Sequence, residues 1–526
     1  MKIKFTALLI VAFCISTYAQ NVNVYGIVID ETNNMPIVGV NVVVKDMNKG
    51  DVTDFDGNFS IDNVPVGATL QLSYIGYASL ELVVNSGELL RILMREDASK
   101  LDEVVLVGYG TQKKKEITGA VSVVNSETIE NLKPTRIEQA LQGQVAGVNI
   151  TSQSGSPGSA SNIRIRGIST NGDNRPLILV DGNVIEDLSV VNPGDIANIT
   201  VLKDATAGIY GVRAANGVIL ITTKTGRKSM PMQFDYDAFV GFQQTTRKIP
   251  LLNATEYALL RNEAAAANGQ TLPFPNAGGL GRGTDWQSEV FETAPIFNNN
   301  INVRGGTEKS TYSFGSSLLT QDGIVGGSKA NFTRYTTRVN FGTEIIENLN
   351  LKANLIYTGT TRKSLPENGL GSVLFNGLNF APTSSVRDEN GEFTSSVNYP
   401  IEVVNPLKQI ENTFNRTKVD KLSGVFGLNY NFDNGFSAEA NHQWNYSEVR
   451  SKDFRPVVEY GNGSVFDNSN NIQYTEGIQF FRDYTFDAFI NYEKSFNDVH
   501  NLKVTLGTSV YKTTGDYYLS VGNGLP

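Results

Sequence analysis

From residue 233 onward, apolar and polar side chains alternate residue by residue, and this decides what the chain can build. Successive side chains of a strand point to opposite faces, so strict alternation sorts a strand into one apolar and one polar face. Between Phe436 and Tyr446 one face carries Phe436, Ala438, Ala440, Trp444 and Tyr446, and the other Ser437, Glu439, Asn441, Gln443 and Asn445. Tyr335, Thr337, Val339 and Phe341 likewise oppose Thr336, Arg338 and Asn340, and Phe486, Ala488 and Ile490 oppose Asp487 and Asn491. About nine such strands of about 10 to 13 residues, with aromatics towards their ends, match the wall of a bilayer-spanning barrel. Short links are expected near Gly305-Gly306, Glu347-Asn348, Asp433-Asn434 and Asn497-Asp498, and long ones over 245–296, 321–332, 360–419 and 448–480. Barrels have short turns at one rim and long loops at the other.

Composition removes several other classes. A net charge of −9 gives no basic face for nucleic acid. After the N-terminus no run of about 20 apolar residues occurs, so a spanning helix is not expected. Lys2 and Lys4, the apolar run Phe5 to Ile15 and Thr17-Tyr18-Ala19 read as a signal peptide over 1–19. The one cysteine, Cys14, lies inside that run, and only His442 and His500 remain as imidazoles. Thiolate zinc sites, thiol nucleophiles and a His-based metal site are therefore not expected, nor is any cofactor. A secreted hydrolase would need a carboxylate pair in a cleft, and none is discernible.

Residues 22–95 alternate short strands with turn residues, about seven strands in all, which predicts a β-sandwich. Asp54 and Asp56 are read as an Asx turn rather than a calcium site. Gly26-Ile27-Val28, Pro36 to Val40, Thr53 to Phe59 and Ser73 to Tyr77 resemble the carboxypeptidase-regulatory-like family, an accessory module without peptidase chemistry. Residues 98–112 read as a linker. Within it Leu101 to Val107 is β-prone, ends at Gly108-Tyr109-Gly110, and suits either addition to another protein's sheet edge or a buried strand of a neighbouring domain.

Residues 113–228 read as a compact mixed α/β domain. Val121 to Val124 is strand-like, Ser126 caps a helix to Leu132, and Arg136 to Leu141 forms a second. Arg164 and Arg166 alternate on a strand and share a face, where structural ion pairing is expected. Asp181-Gly182 is a hairpin signal. Leu177 to Gly182, Val201-Leu202-Lys203-Asp204-Ala205, Ile209-Tyr210-Gly211 and Arg213 to Ile219, which holds Asn216 and Gly217, resemble the plug signature of SusC/RagA-type TonB-dependent receptors. Asp102, Glu103, Val104, Val105, Leu106 and Val107 resemble the TonB box of that family.

The resemblance implies a mainly β chain: a sandwich, a plug domain, and over 233–526 the first strands of a truncated transmembrane antiparallel β-barrel. About nine strands are too few for the roughly 22 of a plugged transporter, so a partial wall is expected. It further implies a cell outer-membrane protein with plug and sandwich on the periplasmic side. A large glycan or peptide would be imported without chemistry, driven by TonB and its inner-membrane complex, with a SusD-like surface lipoprotein. Rival readings are a siderophore or cobalamin receptor and, from another class, a secreted adhesin.

Overall fold

The computed structural model describes residues 21–524 except 32–33, 46, 48, 75–76, 86–88, 96–103, 108–109, 114–119, 204, 396–401, 433, 462–470 and 497–499. The expected signal peptide, Asp102, Glu103 and Asp204 lie outside the described residues. The chain divides into two units, 1–118 and 119–526.

In the first unit, β1 (Asn21–Asp30), β2 (Asn41–Val44), β3 (Gly50–Val52), β4 (Asn58–Pro65), β5 (Thr69–Ser73), β6 (Leu80–Val83) and β7 (Leu90–Met94) form two sheets, ordered β4-β1-β7 and β3-β2-β5-β6. Alternate residues such as Val24, Val28, Val42, Val44, Leu70 and Leu72 are fully buried between them, as a sandwich requires. Asp54 Oδ1 accepts the backbone N–H groups of Asp56 and Asn58 at 3.0 and 2.8 Å, closing the Asx turn. Beyond the sandwich, β8 (Val104–Val107) pairs antiparallel with β9 (Gly110–Lys113), Val107 opposite Gly110. The expected extended segment is thus one strand of its own hairpin.

The second unit begins with the compact domain. It comprises β10 (Val121–Asn125), α1 (Ser126–Leu132), α2 (Ile137–Leu141), β11 (Val148–Ser152), β12 (Ser161–Ile165), β13 (Leu177–Val180), β14 (Asn183–Ile185), β15 (Ile196–Leu202) and β16 (Val218–Thr223). Its main sheet runs β10-β15-β16-β13-β14, with β13 and β16 parallel, and β11-β12 stands apart as a hairpin. The apolar runs of β15 and β16 bury Ile199, Val201, Ile219 and Ile221 against Ile129, Ile137 and Leu141 of the helices. Ser126 is the first helical residue rather than the cap; Asn125 holds the cap position in extended conformation, without a side-chain bond.

The remaining strands form one antiparallel sheet in chain order, β17 (Gln233–Gln243), β18 (Ala294–Gly306), β19 (Ser310–Gly323), β20 (Gly327–Ile346), β21 (Leu349–Arg362), β22 (Phe414–Asn431), β23 (Phe436–Arg455), β24 (Gln473–Phe496) and β25 (His500–Asn523), and helices Ala254–Ala267, Trp286–Val290, Val373–Asn379 and Pro406–Glu411 lie in its long links. That makes nine strands among the described residues. They are longer than expected, up to 24 residues. The link expected over 321–332 is a correction: β19 continues to Gly323 and β20 starts at Gly327. Glycines at 326 and 327, with φ of 71° and 49°, take the left-handed conformations of this tight turn. The alternation is seen directly on β20. Tyr335, Val339 and Phe341 are exposed, whereas Thr336, Arg338 and Asn340 are buried.

Candidate functional site: a plug held by a polar wall

Buried polar positions on β18 to β23 face the compact α/β domain. A guanidinium buried without acceptors is costly, and Arg338 on β20 is 1% exposed. Its Nη1 donates to Lys224 O at 2.7 Å and Ser313 Oγ at 2.9 Å, and its Nη2 to Asn302 Oδ1 at 3.3 Å and Asp195 Oδ1 at 3.5 Å. Asp195 and Lys224 belong to the compact domain, so one wall side chain grips two of its segments.

The same contact recurs along the wall. Asn192 Nδ2 donates to Asn300 Oδ1 at 3.0 Å, and Thr358 Oγ1 to Val190 O at 2.6 Å. Asn183 Nδ2 donates to Asn445 Oδ1 at 2.9 Å, and Arg362 Nε to Pro157 O at 3.0 Å. Ile356 of β21 joins the domain's apolar core. The hydrogen-bonding wall residues lie on the lumen-facing positions of their strands, opposite the exposed Phe, Tyr, Leu and Val. The opposite face is an apolar band including Phe297, Phe314, Leu318, Leu355, Phe426 and Phe486. Exposed apolar patches of such extent mark contact with another apolar phase.

Charges within the compact domain are paired too. Arg136 Nη2 lies 2.6 Å from Glu138 Oε1 and 3.5 Å from Asp187 Oδ1. Burial pushes the Asp187 carboxyl up, but Lys421 of β22, Arg136 and the Ser189 hydrogen bonds outweigh it and hold it below the usual range. Asp195 goes the other way: burial raises it, and Arg338 and Lys224 only partly offset the rise.

Most of the described signature residues bond or pack against neighbours within the fold. Asp181 and Gly182 make the β13–β14 turn, with φ of 50° and 93°, as a type I′ hairpin requires. The Asp181 carboxylate also accepts from Thr223 N at 2.9 Å and Thr223 Oγ1 at 2.6 Å, a tie that turn chemistry did not foretell. Lys203 Nζ donates to Ser122 Oγ at 2.7 Å and Ala146 O at 2.6 Å. Asn216 Nδ2 donates to Asp173 O at 2.8 Å, and Ser169 Oγ to Asn216 Oδ1 at 2.6 Å, tying down the 168–175 loop. A Cβ at Gly217 would stand 2.8 Å from Ile165 Cδ1, and its φ is 88°. Tyr210 and Gly211 lie in a 3-10 segment kinked at Gly211, where φ is 69°. Arg213 stacks over the Tyr511 ring of β25 at 4.3 Å.

Arg164 and Arg166 do not share a strand face. Arg164 is half-buried within β12, whereas Arg166 lies past its end with φ of 58°, because the chain turns there into Gly167. Among the described residues no group of three or more His, Cys, Asp or Glu side chains is placed to hold a metal ion.

Comparison with known proteins agrees with this geometry. The TonB-dependent Receptor Plug Domain family matches residues 113–218, and the CarboxypepD_reg-like domain family matches 24–106. TonB-dependent receptor SusC of Bacteroides thetaiotaomicron is 34% identical over 452 residues, covering 80% of this chain and 43% of that protein. A TonB-dependent receptor of Formosa agariphila is 31% identical over 507 residues, covering 95% and 49%. The structure of the RagAB peptide importer in its open-open state superposes with a TM-score of 0.70 at 26% identity, covering 80% of this chain and 50% of that one. The chain spans about half the length of the curated relatives it matches. Sandwich, plug and outward-apolar wall in this order place the chain among the SusC/RagA-type TonB-dependent receptors.

Proposed function

We propose that the receptor to which this chain belongs actively imports a large nutrient, a glycan or peptide, across the outer membrane. The observation that carries this is the plug held by the wet face of a wall whose other face is apolar. Such a wall suits hydrocarbon outside and a hydrated lumen inside. A lumen filled by a folded domain passes nothing until that domain moves, so import needs work from outside.

TonB, with its inner-membrane energising complex, supplies that work by pairing with Asp102 to Val107. A strand added to a sheet edge bonds through backbone groups, which resist pulling along the strand as a ladder. The strand conformation of Val104–Val107 supports this role. Plug and sandwich then face the periplasm, and the long loops 244–293 and 363–413 face outward, where a SusD-like lipoprotein delivers cargo. Arg338, Asn300 and Asn445 hold the plug without covalent chemistry, and their bonds reform after each cycle. No residue is assigned a catalytic role.

The test is deletion of Asp102 to Val107 in the intact receptor. Uptake of the nutrient stops while its binding at the cell surface persists; normal uptake by the deletion variant overturns the reading.

A further inference from the structure

The strand Val104–Val107 (β8) does not stand alone. It pairs antiparallel with β9 (Gly110–Lys113), Val104 opposite Lys113, Val105 opposite Gln112, Leu106 opposite Thr111 and Val107 opposite Gly110. Among the described residues these two strands form a sheet of their own. The plug family match begins at residue 113 and the sandwich family match ends at 106, so Gly110 to Gln112 fall to neither.

Along an antiparallel pair, facing residues alternate between those that exchange both backbone bonds and those whose N–H and C=O groups point away. Two of the four residues of β8 therefore bond to β9, and the other two present donors and acceptors along the opposite edge. A two-stranded hairpin is marginal in water, and a third strand is what lets such a sheet hold. Composition separates the two edges at which a third strand could add. Val104, Val105 and Val107 are β-branched, which favours pairing on the β8 side. On the β9 side Gly110 weakens the strand, and Lys113 is the kind of residue that blunts pairing at a sheet edge.

We propose that β9 is a splint for the coupling strand. The strand from TonB adds to the free edge of β8, giving a sheet in the order TonB strand, β8, β9. Gly110 to Lys113 thereby belong to the binding site as positioning residues, without touching the partner. The proposal rests on the reading of Asp102 to Val107 as the coupling segment and extends that site by a second strand. A strand held extended has given up beforehand the backbone freedom that binding would otherwise remove. Displacement of β9 by the partner's strand would break existing bonds beside an edge that is open.

The test uses the intact receptor in detergent, with the purified periplasmic domain of TonB as the probe. In Thr111→Pro/Gln112→Pro the two central residues of β9 lose their N–H groups, so the ladder with Val105 and Leu106 is lost while residues 102–107 keep their sequence. The domain is expected to bind this variant about tenfold more weakly than the wild type, the effect of fixing one more residue of backbone on binding. Thr111→Val/Gln112→Thr, which favours the strand, binds at least as tightly as the wild type. Amide exchange gives a second readout: on addition of the domain to the wild type it slows over 104–107 and over 110–113 alike. Unchanged or tighter binding by the proline variant overturns the proposal. Faster exchange over 110–113 in the complex, the mark of a displaced β9, overturns it too. If deletion of Asp102 to Val107 leaves binding of the domain unchanged, the coupling reading itself fails and the proposal falls with it.

Discussion

Arg338 of the wall and Asp195 of the plug face each other at 3.5 Å, with side chains 1% and 2% exposed. Removing one partner of a buried pair strands the other, at a cost of about 3 to 5 kcal/mol. Arg338→Met is therefore expected to loosen the plug, seen as faster limited proteolysis of residues 119–224 in the intact receptor. Arg338→Lys keeps the charge and gives an intermediate rate. Because burial already raises the Asp195 carboxyl, its proton is held more tightly folded than unfolded. Stability from this group is full below its unfolded value of 3.8 and declines as pH rises through the raised one. Acidification alone should not release the plug through Asp195. Proteolysis that accelerates on acidification in the wild type but not in Asp195→Asn contradicts this.

Glycine 158 of the plug lies against Phe332 of β20. With φ of +67° and a Cβ position 2.3 Å from the Phe332 ring, Gly158→Ala is expected to destabilise plug seating by about 1 to 3 kcal/mol. Phe332→Ala should recover part of that loss, giving a coupled double-mutant cycle. Additive effects in thermal unfolding would contradict the contact.

Asp173 and Arg175 pair on the exposed plug loop, with Nη2 to Oδ2 at 2.7 Å. The Arg175 side-chain hydrogen bond, then its backbone N–H, lower the Asp173 carboxyl to about 2. A depressed value means its contribution is present above 3.8 and disappears as pH falls through about 2. Exposure keeps that contribution small. Asn216→Ala, which removes the bonds to Ser169 and Asp173, is expected to raise amide exchange over 168–175 about tenfold at neutral pH. Asp173→Asn should raise it less, and unchanged exchange in both would show the loop is held otherwise.

Thr223 bonds the Asp181 carboxylate through backbone and hydroxyl. Thr223→Val keeps the shape and removes the hydroxyl bond to a charged acceptor, worth about 1.5 to 3 kcal/mol. A lower unfolding temperature with an unchanged β13–β14 turn is expected. Asp181→Gly, which suits the turn but removes both bonds, should lose at least as much, because the turn is not what that carboxylate serves.

Local order was legible where neighbours along the chain decide it. The two-residue period assigned Thr336, Arg338 and Asn340 to one face and Tyr335, Val339 and Phe341 to the other, and both faces are as read. The Asp181-Gly182 turn followed from its left-handed backbone. Local reading misled where a ladder overrode composition. Gly323 to Lys329 looks like loop, yet Asn331 pairs with Asp322 and Gly323 with Gly327, because extending existing strands adds hydrogen bonds for few newly ordered residues. The pairing of Arg164 with Arg166 on one face failed because a single left-handed residue ends the alternation.

The sequence by itself determined the strand period, the sign of each wall face, the principal turns and the order of sandwich, plug and wall, since each depends on residues a few positions apart. Only the tertiary structure decided which polar residue meets which. Arg338 and Asp195 are 143 positions apart, and no spacing rule joins them. Their meeting follows from how strand tilt and register carry one face of the sheet over the plug, and buried polar groups accept only the partners that this geometry brings within hydrogen-bond reach.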